Sequence, residues 1–136
     1  MFQAAPRVLV VDDDSPTCEL IELALVDDGW EIQTRTRGQA ALQLLVTWPA
    51  DLIVLDLIMP DMSAEAFLAA YREKTQQPAP ILLTSAASDL DHHAERLSVS
   101  DVLAKPFDVD DLCTRVRTLL HQGGALAVGY GVSDGT

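Results

Sequence analysis

Carboxylates follow two apolar runs of this sequence directly, and their type and spacing could do chemistry. Asp12 and Asp13 come after the run Val8–Val11, and Asp56 closes the run Leu52–Leu55. Apolar runs of this length, rich in branched side chains and bounded by turn signals, are typical of strands buried on both faces. Because an unpaired buried charge is very costly, we expect these carboxylates at the carboxyl ends of the strands. That edge of an open α/β sheet is where ligands bind.

A hydroxyl and an ammonium group follow two later runs. Thr84 ends the apolar run that begins at Ile81, and Lys105 comes directly after the short run Asp101–Ala104. The carboxyl ends of parallel strands share one edge, so these side chains can converge with the carboxylates. Oxygen-only ligands suit Mg²⁺, with Mn²⁺ as an alternative. Carboxylate, divalent cation, hydroxyl and ammonium together fit a phosphoryl group in transfer, whose oxygens the cations neutralise.

Asp56 is the expected nucleophile because it stands alone at its strand end, which leaves Asp12 and Asp13 to hold the metal. The product would be an aspartyl phosphate. Helix capping is the alternative interpretation of the acidic run, since carboxylates are favoured at helix N-termini. Capping explains Asp14 well, but it gives the two preceding carboxylates no role. A solvated surface lysine is the corresponding alternative for Lys105.

Strand and helix patterns alternate five times along the chain. The predicted strands lie near 8–11, 30–34, 51–56, 81–84 and 101–104. Helical patterns separate them, and the last is an amphipathic helix over Val109–His121. This alternation predicts an α/β fold, a doubly wound five-stranded parallel sheet with helices on both faces in three layers. The right-handed crossover rule leaves few topologies for such a sheet.

The 136 residues suffice for one domain with one core. We expect a folded domain over residues 1–122 and a Gly-rich tail or linker stub over residues 123–136. A net charge of −12 disfavours nucleic acid and anionic membranes as partners, and no stretch approaches the ~20 apolar residues of a membrane helix. Cys18 and Cys113 have no metal-like spacing and no signal peptide is visible, which predicts buried, reduced thiols in a cytoplasmic protein.

Four motifs in order carry a resemblance to a known family. They are Asp12-Asp13 after the first strand, Asp56-Leu-Ile-Met-Pro60 at the third, Thr84-Ser85 at the fourth and Lys105-Pro106-Phe107 after the fifth. In this order and at this spacing they resemble the receiver domain of two-component response regulators, over about residues 6–121. The resemblance implies a flavodoxin-like fold with the strand order 2-1-3-4-5.

The resemblance also implies a role for each acidic residue. Asp56 would accept a phosphoryl group from the phosphohistidine of a sensor histidine kinase or a phosphotransfer protein. Asp13 would be the direct Mg²⁺ ligand, and Asp12 would act mainly through water. The main-chain carbonyl of Ile58 would complete the protein ligands together with Asp56.

Lys105 would bind a phosphoryl oxygen, aimed by a cis peptide bond to Pro106. Thr84 would move its hydroxyl onto the phosphoryl group and so report phosphorylation. The fourth helix, fifth strand and fifth helix would pass the signal to a downstream protein or an output domain. A phosphorylation-dependent dimer through that face is one expected form. Such a receiver is a switch rather than a turnover enzyme, and it catalyses only its own phosphorylation and dephosphorylation.

Val102 departs from the family pattern, because receivers carry Tyr or Phe three residues before the lysine. A valine cannot exchange between an exposed and a buried ring position. One alternative is therefore a phosphorylation-impaired receiver that serves as a docking module. A remote alternative is a Mg²⁺-dependent phosphohydrolase with an aspartyl nucleophile. The haloacid-dehalogenase type needs a second acid two residues after the nucleophile, where this chain has Ile58.

Four further positions matter for the comparison with the family. Ala64 and Ser98 stand where receivers have glycine, so each raises the cost of a positive φ there. Ile58 and Ala86 occupy the positions that tune dephosphorylation in the family, two residues after the aspartate and two after the threonine. Neither side chain can orient an attacking water molecule. We therefore predict a phosphoryl group that outlives those of receivers with polar residues at these positions.

Overall fold

The computed structural model describes residues 5–86 and 88–122 in full and the backbone of residues 123–128. The strands are β1 (Arg7–Val11), β2 (Glu31–Arg35), β3 (Leu52–Asp56), β4 (Ile81–Ser85) and β5 (Asp101–Ala104). The helices are α1 (Ser15–Val26), α2 (Gly38–Thr47), α3 (Ala64–Lys74), α4 (Leu90–Leu97) and α5 (Val109–Val128). The strands form a parallel sheet in the order β2-β1-β3-β4-β5, which confirms the predicted fold class and strand order.

Helices cover both faces of the sheet, and the alternating side chains of β1, β3 and β4 divide the core into two layers. One layer packs against α2, α3 and α4 and includes Leu9, Ile53, Leu55, Leu83, Ala41, Phe67 and Leu97. The other packs against α1 and α5 and includes Val8, Val10, Leu52, Val54, Leu82, Ile21, Leu25, Leu112 and Val116. The central strand β3 is buried along its whole length. This explains its continuous apolar run and places its one carboxylate at the edge.

The last helix continues past its expected end. The sequence predicted that it stops at His121, but the backbone stays helical as far as Val128. Each of the glycines at 123 and 124 costs about 1 kcal/mol in a helix, and the Ala-Leu-Ala run that follows has high helix propensity. Residues 129–136 of the expected tail lie outside the described residues. The division of the chain at residue 122 stays a prediction.

None of the helices within the described residues is long and apolar enough to cross a membrane. Cys18 and Cys113 are free thiols, but only Cys18 is buried, because Cys113 lies at the half-exposed edge of α5. Burial and the nearby charge of Asp12 raise the pKa of the Cys18 thiol to about 11, so this group stays protonated.

Candidate phosphoacceptor and metal site

Three carboxylates meet at the carboxyl edge of the sheet. β1 and β3 pair directly and in parallel, so the residues that follow β1 lie beside Asp56 at the end of β3. One carboxylate oxygen from each of Asp12, Asp13 and Asp56 lies within 4.8 Å of the others. Asp12 and Asp56 are buried, and Asp13 is exposed. The structure thus brings together the three acidic residues that the sequence singled out.

Lys105 places its ammonium group between the two buried carboxylates. Its Nζ donates to Asp12 Oδ2 at 2.7 Å and to Asp56 Oδ2 at 3.3 Å. Burial lowers the pKa of Lys105, but the hydrogen bond to Asp12 and the charges of Asp56 and Asp12 outweigh it and raise the pKa. The backbone N–H of Lys105 donates to the carbonyl of Ser85, and the peptide bond to Pro106 is cis, as the resemblance implied. Lys105 is therefore a fixed cation and not a solvated surface lysine.

The Asp56 carboxylate is almost completely buried, with 6% of the residue exposed. Its Oδ1 accepts a hydrogen bond from the backbone N–H of Ile58 at 3.3 Å. Burial and the charge of Asp12 raise the pKa of Asp56, while Lys105 opposes this shift. The ionised form, which a nucleophile needs, therefore depends on nearby cations.

The two residues of the acidic pair have different surroundings. Both oxygens of Asp12 are engaged, because Oδ1 accepts from the backbone N–H of Asp14 at 2.9 Å and Oδ2 accepts from Lys105. The Asp13 carboxylate makes no hydrogen bond or ion pair with any part of the chain that the structure describes. Asp14 is the N-cap of α1 and accepts from Thr17, so the capping interpretation holds for this residue alone. Asp13 is thus the acid whose oxygens are free for direct metal ligation.

The donor set fits a hard divalent cation. The site offers carboxylate oxygens from three residues against one ammonium group, so it carries an excess of negative charge in largely buried surroundings. Mg²⁺ prefers oxygen ligands and keeps several waters, which suits the exposed side of Asp13. Ile58 follows Asp56 by two residues, in the loop that begins directly after β3.

Thr84 lies beside Asp56, because the two residues are paired across β3 and β4. The residue is 1% exposed, and its carbonyl accepts from the backbone N–H of Leu57 at 2.8 Å. Among the residues that the structure describes, none forms a hydrogen bond with the Thr84 hydroxyl. A buried hydroxyl without a partner is costly. Thr84 therefore presents an unused hydroxyl next to the candidate phosphoacceptor.

Val102 lies on β5 and is paired with Leu83 of β4, the residue directly before Thr84. Its side chain is half-buried and packs against the core layer under α4. Its carbonyl accepts from Arg115 at 2.7 Å, and Arg115 also forms ion pairs with Asp101 and Asp111, each at 3.0 Å. This network holds α5 on β5. An open groove of about 810 Å³ runs along the face formed by α4, β5 and α5.

The two positions that replace family glycines differ in the structure. Ser98 has a φ of +57° and ends α4 in the left-handed conformation, so the expected backbone strain is present there. Ala64 begins α3 after the cap Ser63 and has no positive φ, so the cost that a side chain would add to a positive φ does not arise there. The Ser63 hydroxyl accepts from the backbone N–H of Ala66 at 3.0 Å and starts the helix without a glycine.

Two exposed residues with apolar side chains follow the carboxyl ends of β3 and β4. Ile58 is 66% exposed, and Ala86 is also exposed. Neither side chain carries a group that can hydrogen-bond to water. The second acid of an Asp-x-Asp phosphohydrolase is also missing at Ile58, which leaves that alternative without its general acid.

Sequence reasoning missed two side chains that fasten the elements around the site. The Asp61 carboxylate accepts from the backbone N–H groups of Gly38 and Gln39 at the start of α2, each at 2.9 Å. Arg72 on α3 donates to the two carbonyls of 97–98 at the end of α4, at 2.7 and 2.8 Å. Their partners are at least 22 residues away along the chain, so no local pattern signals either contact.

Comparison with known proteins gives close relatives among transcriptional regulators. The transcriptional regulatory protein PrrA of Mycobacterium leprae is 36% identical over 126 residues, which covers 91% of this chain and 54% of PrrA. The transcriptional regulatory protein CusR of Escherichia coli is 32% identical over 124 residues, which covers 90% of this chain and 54% of CusR. The chain therefore spans about half the length of the curated relatives it matches.

A solved structure and a family sequence model also match this chain. The crystal structure of a signal receiver domain from Vibrio parahaemolyticus superposes with a TM-score of 0.84 at 27% identity, over 95% of this chain and 100% of that one. The sequence model of the response regulator receiver domain matches residues 8–117. Together with the acidic cluster at the carboxyl edge of a 2-1-3-4-5 sheet, this match shows that the chain belongs to the receiver domain family of two-component response regulators.

Proposed function

We propose that Asp56 is the phosphoacceptor of this receiver domain and that a sensor histidine kinase or a phosphotransfer protein supplies the phosphoryl group. The observation that carries the proposal is a buried carboxylate at the end of β3, 3.3 Å from a fixed ammonium group and beside two further carboxylates. An oxygen of Asp56 attacks the phosphorus of a phosphohistidine. The new O–P bond forms as the N–P bond breaks, and the imidazole nitrogen keeps the electron pair.

Asp13, Asp56 and the Ile58 carbonyl would hold Mg²⁺, or Mn²⁺ in its place, with Asp12 acting through water. When bound, the cation neutralises charge on the phosphoryl oxygens and among the carboxylates. Lys105 binds a phosphoryl oxygen, and its 2.7 Å ion pair with Asp12 keeps the ammonium aimed at the pocket. Receiver domains are not classical enzymes. We propose that this one catalyses only its own phosphorylation and dephosphorylation.

The buried Thr84 hydroxyl is the group that would respond to phosphorylation. It has no hydrogen bond within the described chain and lies beside Asp56, so a phosphoryl oxygen would give it an acceptor. Its shift would alter the face formed by α4, β5 and α5, which would act on a downstream protein or an output domain. A phosphorylation-dependent dimer through this face is one form of that output. The free thiols and the source of the phosphoryl group support a cytoplasmic location.

Val102 favours a second candidate function, a receiver whose switch is impaired and which serves as a docking module. Valine has no ring that could move inward behind Thr84. Its side chain packs on the core and its carbonyl accepts from Arg115, so the residue is held in place. The two candidates differ in whether Asp56 becomes phosphorylated and whether the α4–β5–α5 face changes when it does.

Labelling with acetyl phosphate and Mg²⁺, followed by intact mass measurement, tests the phosphoacceptor. We expect a gain of one phosphoryl group, about 80 Da, that EDTA prevents and that Asp56→Asn abolishes. Asp51→Asn is the matched control. It alters a carboxylate at the other end of the same strand, where Asp51 accepts from the backbone N–H of Arg7, and it should label normally. A folded protein that gains no phosphoryl group from either acetyl phosphate or a phosphorylated kinase would favour the docking module.

A further inference from the structure

The loop between β3 and α3, residues 57–63, is fastened to two neighbouring elements. At its start, the backbone N–H of Leu57 donates to the carbonyl of Thr84 at 2.8 Å. Towards its end, the two oxygens of Asp61 each accept one backbone N–H from α2, from Gly38 at 2.9 Å and from Gln39 at 2.9 Å. The stretch between these anchors contains Ile58, which follows the phosphoacceptor by two residues.

Asp61 supplies a cap that α2 does not provide for itself. The N-cap residue of α2 is Arg37, whose side chain makes no capping hydrogen bond. Carboxylates are favoured at helix N-termini because they satisfy unpaired N–H groups and oppose the helix dipole. The amides of Gln39 and Gly38 lower the pKa of Asp61, in keeping with a bound, ionised carboxylate.

The contact between the loop and α2 is close. A Cβ atom on Gly38 would lie 2.7 Å from Cγ and 2.8 Å from Sδ of Met62, so the loop rests directly on this glycine. Met59 is buried and anchors the middle of the loop to the core. Ile58 itself is 66% exposed, so packing of its side chain does not fix the direction of its carbonyl.

We propose that Asp61 is a positioning residue for the metal site. By holding residues 57–63 on the start of α2, it keeps the Ile58 carbonyl and the adjacent Asp56 carboxylate in the arrangement that a divalent cation needs. The inference rests on the proposed metal site and adds a residue that does not touch the cation. Partners that orient metal ligands typically change affinity by 10–100-fold when they are removed.

The number of acceptor oxygens sets a graded expectation. Aspartate offers two acceptor oxygens to the two amides, asparagine offers one, and alanine offers none. Mg²⁺ titration of the intact chain by isothermal calorimetry should therefore give dissociation constants in the order wild type, Asp61→Asn, Asp61→Ala. We expect Asp61→Ala to bind about tenfold more weakly than wild type.

Asp51→Ala is the matched control for this series. Asp51 also accepts a backbone N–H across the sheet, from Arg7 at 2.8 Å, but at the opposite edge from the site. Its loss should destabilise the fold and leave the Mg²⁺ affinity unchanged. Thermal unfolding of each variant gives the loss of stability independently, and Asp61→Asn carries the test if Asp61→Ala does not fold.

Mg²⁺ binding by the variants distinguishes the role of Asp61 from the existence of the metal site. Wild type that binds Mg²⁺, with affinity lost in Asp13→Asn but retained in folded Asp61→Ala or Asp61→Asn, would overturn the role of Asp61 alone. Wild type with no Mg²⁺ affinity would overturn the metal site itself, and the positioning role with it.

Discussion

Ile58 and Ala86 are exposed residues with apolar side chains that follow β3 and β4, near Asp56 and Thr84 in the sequence. A hydrolytic water must be held in line with the O–P bond, and neither side chain has a group that can accept or donate a hydrogen bond. Ile58 has 66% of its surface accessible beside a buried Asp56. The prediction of a long-lived phosphoryl group rests on the apolar side chains at these two positions.

Ile58→Asn should shorten the lifetime of the phosphoryl group about fivefold, because one added hydrogen bond to the attacking water lowers the barrier by about 1 kcal/mol. The decay of the 80 Da mass increment after removal of acetyl phosphate measures the lifetime. Ile58→Val keeps the site apolar and is the control. Equal decay rates in wild type, Ile58→Val and Ile58→Asn would contradict this explanation.

Ser98 carries backbone strain that a glycine would relieve. Its φ of +57° places an L side chain in the left-handed region, which costs about 1–2 kcal/mol, while glycine loses part of that gain through its larger unfolded-state entropy. Ser98→Gly should raise the free energy of unfolding by about 0.5–1 kcal/mol. Urea denaturation measures it, and Ser98→Ala should stay close to wild type because it keeps the strain.

At the scale of elements, α4 is fastened to α3 by two arginines. Leu90 and Leu97 are its buried residues, one at each end, so packing alone holds it weakly. Arg72 binds the carbonyls of residues 97–98 at its C-terminal end, and Arg96 pairs with Glu65 at 2.9 Å. The proposed response of α4 to phosphorylation would work against these contacts, which would therefore limit how readily the α4–β5–α5 face changes.

Arg72→Met should loosen α4 selectively. It removes two hydrogen bonds from a charged donor at a partly exposed site, which we expect to lower the free energy of unfolding by about 1–2 kcal/mol. Hydrogen exchange should accelerate in residues 90–97 and stay unchanged in α1. Arg117→Met is the control, because it breaks a single surface ion pair with Asp28 and should cost less than about 0.5 kcal/mol. Uniform acceleration throughout the chain would mean that Arg72 stabilises the whole fold.

The sequence predicted those elements whose signal is local. Buried strands appear as apolar runs, and a carboxylate or lysine at a strand end can only face the edge of the sheet. The sequence therefore predicted that Asp12, Asp56 and Lys105 lie at that edge. The end of α5 was wrong because two glycines outweighed the helix formers after them in the prediction. Asp61 and Arg72 were missed because their partners are set by the packing of distant elements.

The molecule as a whole carries 21 acidic against 9 basic residues, a net charge of −12. The ion pairs among the described residues are mostly on the surface, where each contributes little. An excess of one sign destabilises the compact state through self-repulsion, and the carboxylate cluster at the sheet edge concentrates that repulsion. Cations should therefore stabilise this protein in two ways, by general screening and by binding at one site.

Thermal unfolding of the metal-free protein in NaCl, and separately in Mg²⁺, distinguishes these two ways. Raising NaCl from about 10 mM to about 1 M shortens the screening length from about 30 Å to about 3 Å, so Tm should rise in wild type and in Asp13→Asn alike. Mg²⁺ at about 100 times its dissociation constant should add about 2.7 kcal/mol to wild type, and Asp13→Asn should lose this gain. A fall of Tm with NaCl would mean that the attractive ion pairs outweigh the excess charge. An equal Mg²⁺ effect in both proteins would mean that the cation screens the surface without occupying the cluster.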